Sequence, residues 1–503
     1  MDFMNAVQSQ LNSEKTFTTN GAVAYATSGK KLLDFNFSVT ALRNKDEDEI
    51  QTEFSKAFFE NPLVAVRYLF WLRDCRGGNG ERKIFRACLS WLGENKPEIA
   101  RAVEKLVPEY GRWDDLWCLL DTELKHSVVA LVKEQLAADL LGLAQNKPIS
   151  LLAKWLKSEN CSSAESKRIA GIIRKNLGYS PKEYRQILSR LRSYIDVVER
   201  KMAAKEWGEI KYETVPSQAN LRYANAFLKN DEDRRKEYLA SLVKGETKIN
   251  ASVLFPHEVV NKYITDGYRE AVKDYDETLE QLWKNLPDVT IDNAIVVRDG
   301  SGSMRWGGNG NVTPLTVATA LAVYMSEHNG GVFKDKFITF SARPKLIDLS
   351  NCTSLRDKLV RTYEEDECTN TNVEATMRLI LETAKTNHCS QEDLPKRVII
   401  CSDMQFDGAT DQRVDRSLFD GIASEFEAAG YQMPKICFWN LAADISGTVP
   451  MKENALGVVL ASGFSVQILK MFMSGETDPY KVLLETINQE RYNPVEEAVK
   501  NLM

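Results

Sequence analysis

The chain has 503 residues, 43% of them hydrophobic and 27% charged, which is the composition of a globular protein. That composition excludes collagen-like, disordered and disulfide-stapled proteins, and the length predicts about two to four domains. The formal net charge of −6 is uneven, because residues 1–290 carry 44 basic and 42 acidic side chains while residues 291–503 carry 21 and 29.

Targeting signals and cysteines bear on the compartment of the protein. No window approaches the ~18 uninterrupted apolar residues that a membrane helix needs. The N-terminus MDFMNAVQSQLNSEK lacks the basic and then apolar stretches of a secretory signal. The nine cysteines form no CxxC pair, which favours free thiols over a disulfide framework or a zinc site. We therefore expect a cytoplasmic protein.

The first part of the chain has a helical pattern. Residues 1–46 are assigned to an N-terminal extension. Over residues 47–288, apolar side chains recur at i, i+3, i+4 and i+7 in segments separated by short breakers. No alternating β pattern interrupts that stretch. Many helices joined by short loops, without long heptads, predict an α-helical array of HEAT-like repeats.

A basic region lies within this helical part. Residues 141–230 carry 17 basic and 8 acidic side chains, and such a surface attracts phosphate backbones. RNA binding needs cations that follow the phosphates and aromatic rings on which bases stack. Lys182, Arg185 and Arg192 recur at about helical spacing and are expected to face solvent. The alternative is a solvated helix face whose aromatic residues serve the core. The candidate RNA-binding residues are Lys154, Lys157, Lys167, Arg168, Arg174, Lys175, Lys182, Arg185, Arg192 and Arg200.

Strand-like and helix-like segments alternate from residue 289 onward. Buried-strand patterns occur in VTIDNAIVVRD, KDKFITFS, PKLIDL, RVIICSD, PKICFWNL and GVVLAS, and helical patterns separate most of them. This alternation predicts, for residues 289–503, an α/β doubly wound domain whose mostly parallel sheet has helices on both faces. Ligands of such sheets bind outside the carboxyl ends of the strands.

The first of these strands ends in a loop that suits a metal ion. The loop reads Asp299-Gly300-Ser301-Gly302-Ser303-Met304, so that one carboxylate and two hydroxyls lie on a tight turn. Hard oxygen donors of this kind are the ligands that Mg²⁺ or Mn²⁺ prefers. The alternative is a turn of glycine and serine that caps a helix.

This loop resembles the metal-ion-dependent adhesion site of von Willebrand factor A domains. The resemblance implies two further donors on later loops, a threonine and an aspartate. Thr371 is the better candidate for the threonine, Thr369 is the fallback, and Asp403 at the end of RVIICSD is the candidate for the aspartate. The implied metal ligands are therefore Asp299, Ser301, Ser303, Thr371 and Asp403.

Enzymatic chemistries find little support in the sequence. Ser301 does not lie in a G-x-S-x-G motif, and the chain has only four histidines. The glycine-rich RGGNGE at 76–81 lacks the Lys-Ser/Thr of a phosphate-binding loop. Asp403 and Asp407 could pair as acid and base, but Asp407 is better explained as a loop residue. We expect that the protein is not an enzyme.

The order of the two parts resembles the Ro 60-kDa ribonucleoprotein family, in which a TROVE module precedes a von Willebrand factor A domain. The segments that carry the likeness are DGSGSM (299–304), TNTN (369–372), VIICSDMQFD (398–407), SGFSVQILKMF (462–472), GRWDDLW (111–117) and LFPHEVV (254–260). A closer likeness, over about residues 45–480, is to uncharacterised Ro-like proteins of plants, bacteria and phages. These share RDCRGGNGER (73–82), SDMQFD and FWNL.

The resemblance implies a ring of helical repeats that binds small structured RNA on its basic outer surface and holds the single-stranded ends of misfolded RNA. The expected function is RNA binding, with a role as a scaffold for an RNA-processing partner. The alternative is a metal-dependent protein-interaction module without RNA, in which an acidic side chain of a partner completes the coordination of the metal. For Arg112 and Trp113, structural roles in a helix cap and the core are favoured over the alternative of RNA contact. His257 is expected to form a buried hydrogen bond between helices and not to be a ligand.

Overall fold

The computed structural model describes residues 15–17, 23–25, 27–265, 271–306, 312–341, 343–364, 372–404, 418–441, 458–473, 476 and 478–503. These residues divide into two compact units. The sheet unit contains the described residues up to Glu49 and from Ala251 to Ile487. The helical unit contains Ile50–Asn250 and Asn488–Met503.

The first described elements are two short strands and two helices. β1 (Lys15–Phe17) pairs antiparallel with β2 (Val23–Tyr25). They are followed by α1 (Lys31–Phe37) and α2 (Val39–Leu42). α2 is buried along its whole length. The sequence assigns residues 1–46 to an N-terminal extension, and most side chains of α1 and α2 within it are buried.

The next helices confirm the predicted helical part. They are α3 (Glu47–Glu60), α4 (Pro62–Arg73), α5 (Lys83–Asn95), α6 (Pro97–Val103), α7 (Val107–Tyr110), α8 (Lys125–Ala144), α9 (Leu152–Trp155), α10 (Ala164–Leu177), α11 (Pro181–Tyr194), α12 (Val198–Ala204), α13 (Ser217–Asn230) and α14 (Glu232–Val243). Short 3₁₀ helices join them at Glu104–Leu106, Trp113–Asp121, Trp207–Glu209 and Tyr212–Thr214.

α11 illustrates how local sequence determines these helices. The Ser180 hydroxyl accepts a hydrogen bond from the Glu183 N–H at 3.3 Å, and the Glu183 carboxylate accepts one from the Ser180 N–H at 2.8 Å. This capping box satisfies two N–H groups at the start of the helix. Tyr184, Leu188 and Leu191 are buried at helical spacing. The remaining positions of α11, mostly polar, form the side away from the core.

A six-stranded sheet organises the sheet unit. Its strands are β3 (Ala294–Asp299), β4 (Lys336–Phe340), β5 (Leu346–Asp348), β6 (Arg397–Ser402), β7 (Lys435–Asn440) and β8 (Val458–Ser462). The order in the sheet is β5-β4-β3-β6-β7-β8. All neighbouring strands are parallel except β5, which pairs antiparallel with β4 at the edge. The predicted α/β architecture, with a helical region before it, is confirmed.

The remaining helices surround this sheet. They are α15 (Pro256–Tyr263), α16 (Glu277–Lys284), α17 (Pro314–Glu327), α18 (Leu355–Glu364), α19 (Val373–Thr386), α20 (Leu418–Ala428), α21 (Leu469–Met473) and α22 (Pro479–Ile487), with 3₁₀ helices at Gly302–Arg305, Gly331–Phe333, Gln391–Asp393 and Val466–Ile468. α17 is buried from Pro314 to Ser326 and packs against β3, β4 and β6. Its continuous apolar sequence therefore reflects burial on nearly every side.

The end of the chain returns to the helical unit. The 3₁₀ helix Glu490–Tyr492 leads into α23 (Asn493–Val499), which packs against α4 and α6. Asp74, which is fully buried, accepts hydrogen bonds from the Arg491 guanidinium at 2.5 and 3.0 Å. It also accepts one from the Tyr492 hydroxyl at 3.1 Å. An ion pair between the buried Asp74 and the partly exposed Arg491 thus attaches this segment to the helices.

The predicted domain bounds of 1–46, 47–288 and 289–503 follow the order of the chain, whereas each compact unit combines separate stretches. The described residues of 251–288 lie in the sheet unit, and Asn488–Met503 lie in the helical unit. Periodicity indicates that a segment has an apolar face, but it does not indicate which distant part of the chain covers that face. The domain bounds themselves stay predictions.

Two expectations concern the chain as a whole. Within the described ranges, no helix is both long enough and apolar enough to cross a membrane. The eight cysteines that the structure describes are all free thiols. The sequence-based expectation of free thiols is therefore confirmed for these eight positions.

Candidate functional site

The candidate metal loop lies where the strand order of the sheet reverses. β3 is flanked by β4 on one side and β6 on the other, so successive strands leave β3 in opposite directions. In open α/β sheets, this point leaves a crevice at the carboxyl ends of the strands in which ligands bind. Asp299 is the last residue of β3, and Asp403 directly follows β6. The parallel register pairs Arg298 with Cys401, which brings these two strand ends side by side.

Four of the five predicted metal donors lie on these two strand ends. The Ser301 N–H donates a hydrogen bond to Asp299 Oδ1 at 2.9 Å, and the hydroxyls of Ser301 and Ser303 are 3.0 Å apart. Asp299, Ser301 and Asp403 are buried, whereas Ser303 is exposed. The two strand ends therefore place one exposed hydroxyl donor, Ser303, beside three buried donors.

Two carboxylates close together in a buried site disfavour each other's charge. Burial, and after it the negative charge of Asp403, raises the pKa of the Asp299 carboxyl, while hydrogen bonds from Ser402 and Ser301 lower it. A divalent cation would offset both the burial and the repulsion. Carboxylates and hydroxyls are also the oxygen ligands that Mg²⁺ and Mn²⁺ take. The residues present therefore fit such an ion.

The threonine donor cannot be placed with the other four. Thr371 and its fallback Thr369 lie outside the described residues, and so does Asp407. In the part of the chain that the structure describes, no three His, Cys, Asp or Glu side chains gather into a metal-binding group. A metal ion at the strand ends would therefore depend on serine hydroxyls as well as on the two carboxylates.

Ser402 is a member of this site that the sequence reasoning missed. Its hydroxyl donates a hydrogen bond to Asp299 Oδ2 at 2.5 Å and accepts one from the Met404 N–H at 3.1 Å. Ser402 is fully buried and is the last residue of β6. The sequence could have indicated Ser402 by its position directly before Asp403. Parallel pairing of β3 with β6 then places Ser402 next to Asp299.

A second candidate site lies in the helical unit. A cavity of about 580 Å³ is formed by residues of α9, α11 and the segments that follow them. Four of the predicted RNA-binding residues line it, and Glu199 is the one acidic residue in its wall. The full lining is Lys154, Ser158, Asn160, Tyr184, Arg185, Leu188, Ser189, Arg192, Val197, Glu199 and Arg200. We call this the basic cavity.

The ten predicted RNA-binding residues differ in their ion pairs. Arg168 is bound by both Asp121 and Glu165 at 2.7 Å, and Arg174 is bound by Glu159 at 2.6 Å. Arg200 is 3.5 Å from Glu206, and both are exposed. Six others have no carboxylate within ion-pair distance among the described residues, namely Lys154, Lys157, Lys167, Lys175, Lys182 and Arg185.

Arg192 corrects one expectation. Its Nε donates a hydrogen bond to the Ala153 carbonyl at 2.8 Å, its Nη1 to Ser158 Oγ at 2.9 Å, and its Nη2 to the Leu156 carbonyl at 2.6 Å. The guanidinium thus joins α11 to the end of α9 and does not face solvent freely. Helical spacing indicates the side of the helix but not how far a long side chain reaches back to its neighbours.

The motifs RDCRGGNGER and GRWDDLW meet in one buried network. Arg73 Nε and Arg86 Nε each donate a hydrogen bond to Asp115, at 2.7 Å. The Arg112 N–H also donates to Asp115, at 2.9 Å, and starts the 3₁₀ helix that follows. Trp113 is buried. The predicted role of Arg112 as a helix cap is confirmed for its backbone N–H. The predicted place of Trp113 in the core is also confirmed.

His257 packs in an aromatic environment, and the predicted hydrogen bond is absent at its Nδ1. That atom has no partner among the described residues. The ring stacks on Phe255 at 5.6 Å and meets Phe464 edge-on at 5.0 Å. Burial, and after it the positive charge of Arg43, lowers the pKa of His257 to about 3. The imidazole is therefore neutral near neutral pH and acts as a packing residue.

Comparison with known proteins adds family matches over both parts of the chain. The domain of unknown function DUF2828 matches residues 18–128 and 121–289, and the domain of unknown function DUF7788 matches residues 293–501. The Uncharacterized protein L728 of Acanthamoeba polyphaga mimivirus is 30% identical over 521 residues, which cover 95% of this chain and 88% of that protein.

Among solved structures, the crystal structure of the Ro (RSR) protein of Deinococcus radiodurans is similar to this chain. The alignment covers 86% of this chain and 92% of that one, with 14% sequence identity and a TM-score of 0.47. The two family matches meet between residues 289 and 293, ahead of β3. The strand ends and the basic cavity thus fall in different family matches.

Proposed function

We propose a function from the premise that this chain belongs to the family described by the domain of unknown function DUF2828. We infer that it is a Ro-like RNA-binding protein, which holds small structured or misfolded RNA in its helical unit and presents it to an RNA-processing partner. The sequence motifs shared with Ro-like proteins support this proposal. We assign the protein no catalytic role, and we propose a cytoplasmic location in keeping with its free thiols.

The observation that carries the proposal is the basic cavity. Lys154 and Arg185 line it without a carboxylate partner among the described residues, and Arg200 also lines it but pairs with Glu206 at 3.5 Å. Cations without acidic partners can neutralise phosphates at little cost, and the release of counterions then drives binding. Tyr184 is fully buried and donates a hydrogen bond to the Lys157 carbonyl at 3.0 Å. It therefore shapes the wall and does not offer a face for stacking.

Charge reversal at α11 tests the proposal. Lys182→Glu combined with Arg185→Glu is expected to weaken the binding of a structured RNA in a filter-binding titration. The slope of log K against log salt should become shallower by about 0.7 to 0.9 for each phosphate contact that is lost. Arg192 is left unchanged, because its three hydrogen bonds hold the helix in place.

A matched variant controls for net charge. Lys229→Glu combined with Lys244→Glu changes the charge by the same amount at exposed positions of α13 and just after α14. This control is expected to bind RNA nearly as wild type does. Wild-type affinity and slope in the α11 variant would contradict the assignment of the surface. Absence of nucleic acid from the purified protein, together with no binding in the titration, would contradict RNA binding itself.

A second candidate function rests on the strand-end donors. We propose that Asp299, Ser301, Ser303, Thr371 and Asp403 would hold Mg²⁺ or Mn²⁺, and that the ion would supply a positive centre for an acidic side chain of a protein partner. Ser303 is exposed, and Trp306 on the same loop is 66% exposed and could add apolar contact. This function predicts capture of a protein that EDTA abolishes, with RNA binding unchanged.

A further inference from the structure

Arg112 and Trp155 form a cation–π pair next to Lys154, which lines the basic cavity. The Arg112 guanidinium carbon lies 4.6 Å from the centroid of the Trp155 ring. Lys154 Nζ lies 5.8 Å from the centroid of the same ring. Stacking on the indole restricts the planar guanidinium to one orientation while its N–H groups stay available at the edge. The backbone N–H of Arg112 caps a helix by its hydrogen bond to Asp115, whereas its side chain contacts Trp155.

The acidic residues nearest to Arg112 are already bound by other arginines. Asp115 accepts hydrogen bonds from Arg73 and Arg86, and Asp114 pairs with Arg86 at 2.8 Å. The Arg112 side chain itself has no carboxylate within ion-pair distance in the described part of the chain. Its positive charge is therefore only partly balanced by the protein.

Charges of both signs act on this guanidinium. Burial, and after it the positive charges of Arg73 and Arg82, lowers the pKa of Arg112, while Asp114 and Asp115 raise it by less. Arg82 is exposed, and the described residues offer it no carboxylate within ion-pair distance. Like charges held together at a half-buried position repel one another, and a bound anion would offset that repulsion.

We propose that Arg112, Arg82 and Lys154 form a phosphate-binding subsite in which Trp155 holds Arg112 in place. The inference rests on the proposed function, since the phosphate would belong to a single-stranded part of a bound RNA. Lys154 also lines the basic cavity, so the subsite and the cavity share a wall. A strand that occupies the cavity would therefore pass Lys154 and reach the Arg112 guanidinium over the neighbouring Trp155 ring.

Binding of short single-stranded RNA to the full chain tests the subsite. Wild type and Arg112→Gln are titrated, at several salt concentrations, with labelled oligouridine of about 12 nucleotides, a length within the usual site size for single strands. One oligomer carries a 5′-hydroxyl and the other a 5′-phosphate. Arg112→Gln is expected to weaken binding several-fold and to reduce the salt slope by about 0.7. Equal loss with both oligomers assigns the subsite to backbone phosphates, and loss with the phosphorylated one alone assigns it to a terminal phosphate.

Two variants separate the subsite from general charge and folding effects. Arg112→Lys keeps the charge and the backbone cap but loses the planar fork, and it should retain the wild-type salt slope with intermediate affinity. Arg222→Gln removes an exposed arginine of α13 and should bind as wild type does. Wild-type affinity and slope for Arg112→Gln with both oligomers would overturn the inference.

A measurement without RNA distinguishes failure of the subsite from failure of the proposed function. Pyrophosphate at millimolar concentration should raise the thermal unfolding midpoint of wild type and raise that of Arg112→Gln less. If neither oligomer binds wild type but this difference is found, RNA binding is wrong and the subsite stands as an anion site. If pyrophosphate has the same effect on both proteins, the subsite is wrong whatever the RNA titration gives.

Discussion

At the scale of single residues, Asp299 is a fully buried carboxylate beside a second carboxylate. Its two carboxylate oxygens accept hydrogen bonds from the Ser402 hydroxyl and the Ser301 N–H, and Asp403 is its neighbour. Hydrogen bonds of this kind stabilise a buried carboxylate but leave the repulsion between the two carboxylates. A cation between them would remove that repulsion, so the site should respond strongly to loss of either charge.

Asp299→Asn is expected to abolish the binding of Mg²⁺ or Mn²⁺ without unfolding the chain. The change removes one of two adjacent carboxylates, so affinity for a divalent cation falls while the repulsion at the site disappears. Isothermal titration of the variant and wild type measures the affinity for the metal. Thermal unfolding without metal measures the effect of the lost repulsion, and the midpoint of the variant is expected to be no lower than that of wild type. The exposed Asp348→Asn should bind metal as wild type does. Equal metal affinity in Asp299→Asn and wild type would rule out the site.

Acid is expected to destabilise the sheet unit through His257. Its pKa is about 3 in the folded chain and 6.5 for an unperturbed histidine. As pH falls below about 6.5 the unfolded state takes up a proton that the folded state does not, so stability declines by up to about 1.4 kcal/mol per pH unit down to the folded pKa.

A substitution isolates that effect. His257→Phe should lose less stability than wild type between pH 7 and pH 5, as measured by urea unfolding at each pH. The ring still packs between Phe255 and Phe464 but carries no titrating group. His126→Gln, at an exposed position, should follow wild type. An acid response in His257→Phe equal to that of wild type would show that this histidine is not the cause.

At the scale of elements, the contact between α2 and the end of β8 connects segments far apart in the chain. The Thr40 N–H donates a hydrogen bond to Ser462 Oγ at 3.0 Å, and the two hydroxyls are 2.7 Å apart, although 422 residues separate them. Asn440 at the end of β7 donates its amide to the Phe37 carbonyl at 2.9 Å. All four side chains are buried, so these bonds have no water to replace them.

Ser462→Ala is expected to destabilise the sheet unit by about 1–3 kcal/mol, because it leaves the Thr40 N–H and hydroxyl without this buried partner. Thr40→Val should cost less, because Ser462 Oγ still accepts the backbone hydrogen bond. Urea unfolding of both variants and of the double variant measures the coupling. Thr386→Val, at the exposed end of α19, is the control. A larger loss for Thr40→Val than for Ser462→Ala would contradict this order.

At the scale of the whole molecule, the chain passes between its two units more than once. It leaves the sheet unit after Glu49, returns at Ala251 and leaves again after Ile487. Neither unit is therefore a continuous stretch of sequence. The last segment is expected to stabilise the helical unit, because Arg491 and Tyr492 donate hydrogen bonds to the buried Asp74.

Arg491→Met is expected to destabilise the helical unit by about 1.5–3 kcal/mol, because the buried carboxylate of Asp74 loses its hydrogen bonds from the guanidinium. Lys500→Met removes an exposed cation from the same segment and should change stability little. Thermal unfolding followed by circular dichroism measures both. A truncated chain that ends at Ile487 should show a loss at least as large as Arg491→Met. Full stability in the truncated chain would contradict the role of the returning segment.

The sequence by itself determined the type and order of most elements and the positions of the strand-end donors. The apolar periodicity of α11 and the continuous apolar run of α17 are local properties, since each depends on side chains within a few turns. Asp299 and Asp403 were predicted at strand ends because each follows a short β-branched run. Parallel strands bring their carboxyl ends to one edge, so this much follows without coordinates.

Only the tertiary structure decided which distant residues complete each site. Ser402 contacts Asp299 because of the register between β3 and β6, and Arg192 is occupied by carbonyls at the end of α9. Arg112 caps a helix with its backbone yet stacks on Trp155 with its side chain. Such contacts depend on how elements pack against one another across long separations in the chain. A local pattern of apolar and polar residues specifies that a face will be buried but not which partner buries it.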